Sequence, residues 1–181
     1  MSVAFFRSGR WGLALAGLLA ATSVSSSTLA QPAQTVESAQ KFLSITLPGA
    51  RYMAGSLTQA IYEAAKQGGM PSNRVNILGT GLIKEYVPVA HCKSAHKVDY
   101  SEIRMPRDNS TLPADWRPAS GTADFANLTS VKASGSTVAL TWKGIQYGST
   151  VYLTSESMAA RVAVAFEFLR INCDPASDTG F

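Results

Sequence analysis

The sequence has few of the residues on which many common activities depend. Only two of its 181 residues are cysteine and two are histidine. Few residues are therefore candidates for a catalytic base or for a transition-metal ligand. Lysine and arginine are scattered singly, without runs and without aromatic interleaving, so no nucleic-acid-binding surface is predicted. Long apolar runs are also lacking, because the longest, Trp11 to Ala21, has eleven residues. A membrane-spanning helix needs about twenty.

That apolar run lies in a segment typical of a secretory signal peptide. Arg7 and Arg10 precede it, and a polar tail of small residues follows it and ends at Ala30. We therefore expect residues 1–30 to be a signal peptide cleaved near Ala30, with the mature protein periplasmic or secreted and without a transmembrane segment. The alternative is an uncleaved amino-terminal anchor.

Residues 31–181 are long enough for one ordinary domain with a hydrophobic core. Both arginines of the predicted signal peptide leave with it. Of the 16 basic residues, 14 then remain against 12 acidic residues, for a net charge of +2. The mature chain is thus nearly neutral.

Cys92 and Cys173 are the two cysteines of the chain. An even cysteine count in an exported protein indicates a disulfide bond. Two free thiols or a metal site are the alternatives at this point.

The most regular pattern runs from Thr137 to Cys173. Apolar and polar residues alternate over 137–142 and again over 150–154, with glycines between them, which predicts an antiparallel hairpin. From Ser155 the apolar residues recur at spacings of three and four, which predicts a helix that ends before Pro175. The hairpin and the helix each need the other's apolar face, so we expect them to pack together.

Two helices are predicted before the sheet, over 35–44 and 51–67. Two short strands around Gly79–Gly81 and a strand over 97–105 follow, whereas 106–124 carries three prolines and is predicted to be a long loop. The fold class is therefore α+β: an antiparallel sheet of about four or five strands, a long C-terminal helix packed on it and two N-terminal helices.

Two stretches, CKSAHKVDYSEI from Cys92 and RVAVAFEFLRINCDPASDTGF from Arg161, resemble small exported proteins of Gram-negative bacteria. This resemblance covers the second half of the chain. It implies export and no particular activity.

One sequence cluster contains groups with catalytic or metal-binding chemistry. His91, Cys92, His96 and Asp99 lie close in sequence and are of the types that bind zinc or another transition metal. Their spacing matches no established ligand pattern, and a disulfide would remove Cys92 from it. The alternative is a pair of surface histidines beside a disulfide.

The predicted loop carries Trp116 and Arg117, which are candidates for contact with a ligand or partner. The alternative is that Trp116 folds back onto the core as an anchor. No phosphate-binding loop is predicted at Gly79–Gly81, because the lysine and the third glycine of such motifs are missing.

These features favour an exported, soluble, non-catalytic binding or structural protein of the periplasm or cell envelope. No cofactor is predicted, and the ligand is left open. The first alternative is a small hydrolase or metal-dependent enzyme using His91, His96 and Asp99. The second is a subunit whose apolar face is covered by a protein partner of the envelope.

Overall fold

A computed structural model of the chain describes residues 34–69, 75, 77–104, 112 and 117–176, which belong to one compact unit. The predicted signal peptide, Trp116 and most of the predicted 106–124 loop lie outside the described residues.

Seven strands of the described chain form a single antiparallel sheet in the order β4-β3-β2-β1-β7-β6-β5. The central strand β1 pairs with β2 on one side and β7 on the other, and thereby joins the two halves of the sheet. The strands are β1 (Arg51–Met53), β2 (Gly81–Ala90), β3 (Lys93–Asp99), β4 (Pro118–Asp124), β5 (Leu128–Ser134), β6 (Thr137–Trp142) and β7 (Ser149–Tyr152).

The α+β class and the antiparallel sheet are confirmed, but the predicted number of four or five strands is too low. The three residues of β1 lie at the start of the helix predicted over 51–67, and all of β4 lies within the predicted long loop. Of the two short strands predicted around Gly79–Gly81, the second is present within β2, which begins at Gly81, whereas Leu78 before the glycines makes an isolated bridge with Arg104. Pro118 is compatible with β4 because it is the first residue of an edge strand, where proline is tolerated.

Three helices accompany the sheet: α1 (Val36–Thr46), α2 (Gly55–Gln67) and α3 (Glu156–Asn172). Thr35 caps α1, since its side chain accepts a hydrogen bond from the Ser38 amide at 3.1 Å while the Ser38 hydroxyl accepts one from the Thr35 amide at 2.9 Å. Ser155 caps α3 through the Met158 amide at 3.2 Å. None of the helices in the described part of the chain is long and apolar enough to cross a membrane.

The predicted hairpin and final helix are both present. Strands β6 and β7 pair in antiparallel register, with Val138 opposite Val151. Helix α3 contacts β5, β6 and α1 through a buried face that includes Val162, Phe166 and Leu169. The hydrophobic core therefore lies between the helices and one face of the sheet, which we call the inner face.

The predicted Cys92–Cys173 disulfide is present, with an S–S distance of 2.08 Å and a Cα–Cα distance of 5.6 Å. Cys92 lies in the two-residue turn between β2 and β3, and Cys173 caps the C-terminal end of α3. The same turn is tied to α1, because buried Gln40 donates hydrogen bonds to the carbonyls of Ala90 (3.1 Å) and Lys93 (2.8 Å). Two helices thus hold the tip of this hairpin.

Candidate functional site

A cavity of about 510 Å³ lies between the inner face of the sheet and the helices. This is within the usual size of a small-molecule site, about 300–1,000 Å³. Six strands, α2, α3 and the end of α1 contribute to its wall. The lining residues used below are Tyr52, Ile83, Tyr86, His96, Tyr100, residues 119–124, Leu140, Trp142, Lys143, Ser149, Val151 and Phe166.

Tyr86 of β2 places a buried polar group in this wall. Its side chain is 5% exposed, and its hydroxyl has no hydrogen-bond partner. Burial raises the pKa of Tyr86 well above its ordinary value, and the neighbouring Tyr52 acts in the same direction. The Ser94 hydroxyl has a smaller opposite effect, but the two hydroxyls form no hydrogen bond of acceptable geometry. The Tyr86 hydroxyl is therefore neutral and enclosed by protein, with almost no surface accessible from the cavity.

His96 of β3 lies beside this tyrosine. Its ring is parallel to that of Tyr86 to within 14°, at a centroid distance of 6.2 Å, and meets the Tyr52 ring edge-on at 6.0 Å. Burial lowers the pKa of His96 below its ordinary value, which favours the neutral imidazole. Its ring makes no hydrogen bond with any described residue.

Gly121 of the edge strand β4 makes room for the His96 ring. A Cβ atom at this position would lie 2.7 Å from Nε2 of His96, closer than real Cβ contacts. Strand β4 pairs with β3 so that Gly121 is directly opposite His96. Gly121 is therefore small enough to accommodate the His96 ring of the neighbouring strand.

The remaining tyrosines of the wall are also neutral. Burial raises the pKa values of Tyr52 and Tyr100, with smaller opposing effects of the Ser149 hydroxyl on Tyr52 and of the Ala54 backbone on Tyr100. Ser149 Oγ also accepts a hydrogen bond from the Gly55 amide at 3.0 Å, which fixes the start of α2 against β7.

Fixed charge is sparse around the cavity. Apart from the histidine, its lining contains two ionisable side chains that carry a charge at neutral pH, Asp124 and Lys143. Asp124 pairs with Lys93 at 3.0 Å, and Lys143 is exposed to solvent. The wall around Tyr86 and His96 is therefore polar but uncharged.

The structure does not bring the predicted metal or catalytic candidates together. His91 is exposed in the β2–β3 turn, where its Nδ1 lies 3.2 Å from Glu37. Asp99 pairs with Lys84 at 3.8 Å, and a hydrogen bond from the Ser101 amide lowers its pKa. It lies three positions from His96 along β3, so the two side chains point to opposite faces. Within the described ranges, no group of three or more His, Cys, Asp or Glu side chains could hold a metal ion.

Of the two residues predicted to contact a ligand or partner, Arg117 lies within the described part of the chain. It is half-buried just before β4. Its Nε donates to the Leu112 carbonyl at 2.9 Å, and its own carbonyl accepts a hydrogen bond from the Tyr100 amide at 2.6 Å. It is not part of the cavity lining. Its described contacts thus link β3 to Leu112 and the start of β4.

A second concavity, of about 430 Å³, lies between α1 and α3. We call it the helix groove and define it by Phe42, Arg161 and Val164. The Arg161 guanidinium lies over the Phe42 ring at 5.2 Å, and Val164 is 59% exposed. This groove contains no buried polar group that lacks a partner.

Sequence reasoning singled out His96 but missed Tyr52 and Tyr86, which contact it in the structure. These three residues come from three different strands, so no spacing along the chain groups them. No family model, curated protein or solved structure matches the chain. The residues of the cavity are therefore the basis for inferring a function.

Proposed function

We propose that this chain is an exported binding protein of the periplasm or cell envelope that holds a small molecule in the 510 Å³ cavity and performs no catalysis. The observation that carries the proposal is the cavity itself, which has the volume of a small-molecule site and a wall that combines apolar side chains such as Ile83, Leu140 and Phe166 with the polar ring of His96.

The surroundings of His96 favour binding over catalysis. A general base in a hydrolytic site is usually oriented by a further group and placed within hydrogen-bond reach of a nucleophile. His96 instead contacts two tyrosine rings and donates no hydrogen bond to a described carboxylate. Asp124, the carboxylate of the lining, is engaged with Lys93. No observation favours the hydrolase or metal-enzyme alternative.

Two features support export. Residues 1–30 have the pattern of a signal peptide, and the structure contains a disulfide, a bond that persists mainly in oxidising compartments. Amino-terminal sequencing of the protein from the periplasmic fraction should begin at or near Gln31. Recovery of the chain from the cytosol with Met1 intact would contradict export.

Binding is tested with N-phenyl-1-naphthylamine, an uncharged apolar fluorophore. We expect saturable one-to-one binding to the wild-type protein. Ala119→Phe should weaken it by about tenfold or more, because Ala119 lines the cavity and the new ring would occupy part of its volume.

The matched control is Ala139→Phe. Ala139 is exposed on β6 and does not line the cavity, so this variant should bind the fluorophore like the wild type. Absence of saturable binding to the wild type, or equal loss in the two variants, would overturn the proposal that this cavity is the binding site.

A further inference from the structure

We infer that the ligand is an anionic amphiphile, whose apolar body lies in the cavity and whose single negative group lies at the cavity mouth beside Lys143. This inference rests on the proposed function and specifies the class of ligand. It follows from the charges of the cavity lining, from the position of Lys143 and from the apolar surface of the interior.

The cavity lining has one unpaired charge at neutral pH among its described residues, and that charge is positive. Both carboxylate oxygens of Asp124 are engaged: Oδ1 accepts a hydrogen bond from the Ala126 amide at 3.2 Å, and Oδ2 lies 3.0 Å from Nζ of Lys93. The Lys143 ammonium group, in contrast, forms no ion pair or hydrogen bond with any described residue. A bound anion would therefore meet an unpaired opposite charge, whereas a bound cation would not.

Lys143 lies at the mouth of the cavity, which we define by Lys143 and Asn127. Its backbone amide donates a hydrogen bond to the Asn127 carbonyl at 2.8 Å, so the two residues are held side by side. Both line the cavity and both are exposed, so the cavity meets solvent at this point. A negative group bound here keeps part of its hydration, which avoids most of the cost of burying an ion.

The interior of the cavity suits an apolar body. Ile83, Leu140, Val151 and Phe166 line it, and all four are buried core residues. Burial of apolar ligand surface is the main driving force for such binding, whereas the attraction between an anion and an exposed lysine is reduced by solvent. Apolar contact would thus supply most of the affinity, and Lys143 would select the sign of the ligand charge.

Three probes with one ring system test the sign of the charge: 2-naphthoate, 2-naphthol and trimethyl(2-naphthyl)ammonium, each titrated calorimetrically at pH 7.5. The wild-type protein should bind 2-naphthoate at least about threefold more tightly than the ammonium compound. Lys143→Gln should weaken 2-naphthoate binding by about two- to fivefold and leave 2-naphthol binding unchanged, because only the anion is attracted to the lysine. Lys143→Glu should reverse the order of the anion and the cation.

Lys132→Gln and Lys132→Glu are the matched controls. Lys132 is exposed on β5, forms no ion pair with a described residue and lies outside the cavity lining. Its variants change the net charge of the chain as the Lys143 variants do, and they should bind all three probes like the wild type. The Lys143 variants should remain folded, since they replace an exposed side chain and retain the backbone hydrogen bond to Asn127.

The outcomes separate this inference from the proposed function. Suppose that N-phenyl-1-naphthylamine binds, but that the wild type does not prefer 2-naphthoate, that Lys143→Glu leaves the preference unchanged, or that the Lys132 variants alter it equally. Any of these results would show that the ligand class is wrong while the cavity remains a binding site. If neither N-phenyl-1-naphthylamine nor any of the three probes binds the wild type, both the ligand class and the binding function are wrong.

Discussion

At the level of single residues, the mainly apolar wall of the cavity also contains polar side chains that are wholly or partly buried in their neutral forms. Burial raises the pKa values of three tyrosines and lowers that of His96, so that each of these groups is uncharged at neutral pH. The same physical cause acts in opposite directions because the charged form is an anion for tyrosine and a cation for histidine.

The lowered pKa of His96 predicts a pH dependence of stability. Well above pH 6.5, the ordinary pKa of histidine, the His96 side chain is neutral in both the folded and the unfolded chain. As the pH falls below 6.5, the unfolded chain takes up the proton more readily than the folded one, so the free energy of unfolding decreases until the folded pKa is passed. Urea unfolding at pH 7.5, 6.5 and 5.5 should show this decrease in the wild type and a smaller one in His96→Gln.

His91→Gln is the control for this experiment, since His91 is exposed and pairs with Glu37 outside the cavity. It should keep the wild-type decrease between pH 7.5 and 5.5. An undiminished decrease in His96→Gln would show that this histidine is not the group responsible.

His96 also illustrates what the sequence could predict of the site. The residue stands out in the sequence because histidine is rare in this chain. However, the candidate residues near it in the sequence are not its neighbours in the structure. His91 lies in a turn and Asp99 points to the other face of β3, whereas the structural neighbours of His96 are two tyrosines from β1 and β2. Such neighbours are set by strand order, which a single sequence does not contain.

At the level of secondary structure, the local sequence was sufficient to predict an element whose apolar residues recur at a regular spacing. In the β6–β7 hairpin apolar and polar residues alternate with a period of two, and in α3 the apolar residues recur with a period near 3.6. Both elements were therefore predictable. Strand β4 was missed because its sequence, PASGTAD, contains proline and glycine and only one β-branched residue. It is a strand because β3 offers it a partner and because Gly121 fits over the His96 ring.

The disulfide joins two elements that are distant in sequence, the β2–β3 turn and the end of α3. It closes a loop with a sequence separation of 81 residues. In the chain-entropy model such a bond stabilises the fold by roughly 4 to 5 kcal/mol, chiefly by restricting the unfolded chain. Cys92→Ser, Cys173→Ser and the double variant should each lose about this much free energy of unfolding, because all three remove the same bond.

If a variant fails to fold, the contribution of the disulfide to the free energy of unfolding is measured on the wild type. Urea unfolding of the oxidised protein is then compared with urea unfolding of the same protein in reductant. Equal losses in the two single variants and the double variant are expected. A double variant within about 1 kcal/mol of the wild type would show that the bond adds little beyond the packing of α3 and the Gln40 contacts.

At the level of the whole molecule, the short central strand β1 determines where the cavity lies. It joins β2 to β7 and places Tyr52 on the inner face, next to His96. Helix α3 packs on β5 and β6, and α1 packs on β2, so the helices cover different parts of the sheet. The space between the sheet and these helices is the cavity, and neither its volume nor its chemistry could be inferred before the strand order was known.

The measurement that tests the binding cavity most directly is an NMR titration of the uniformly ¹³C-labelled protein with 2-naphthol. We expect saturable shifts and intermolecular nuclear Overhauser effects at Tyr86 and His96, and none at Phe42 or Val164 in the helix groove. Effects confined to the helix groove, or an absence of saturable shifts, would contradict the assignment of this cavity as the functional site.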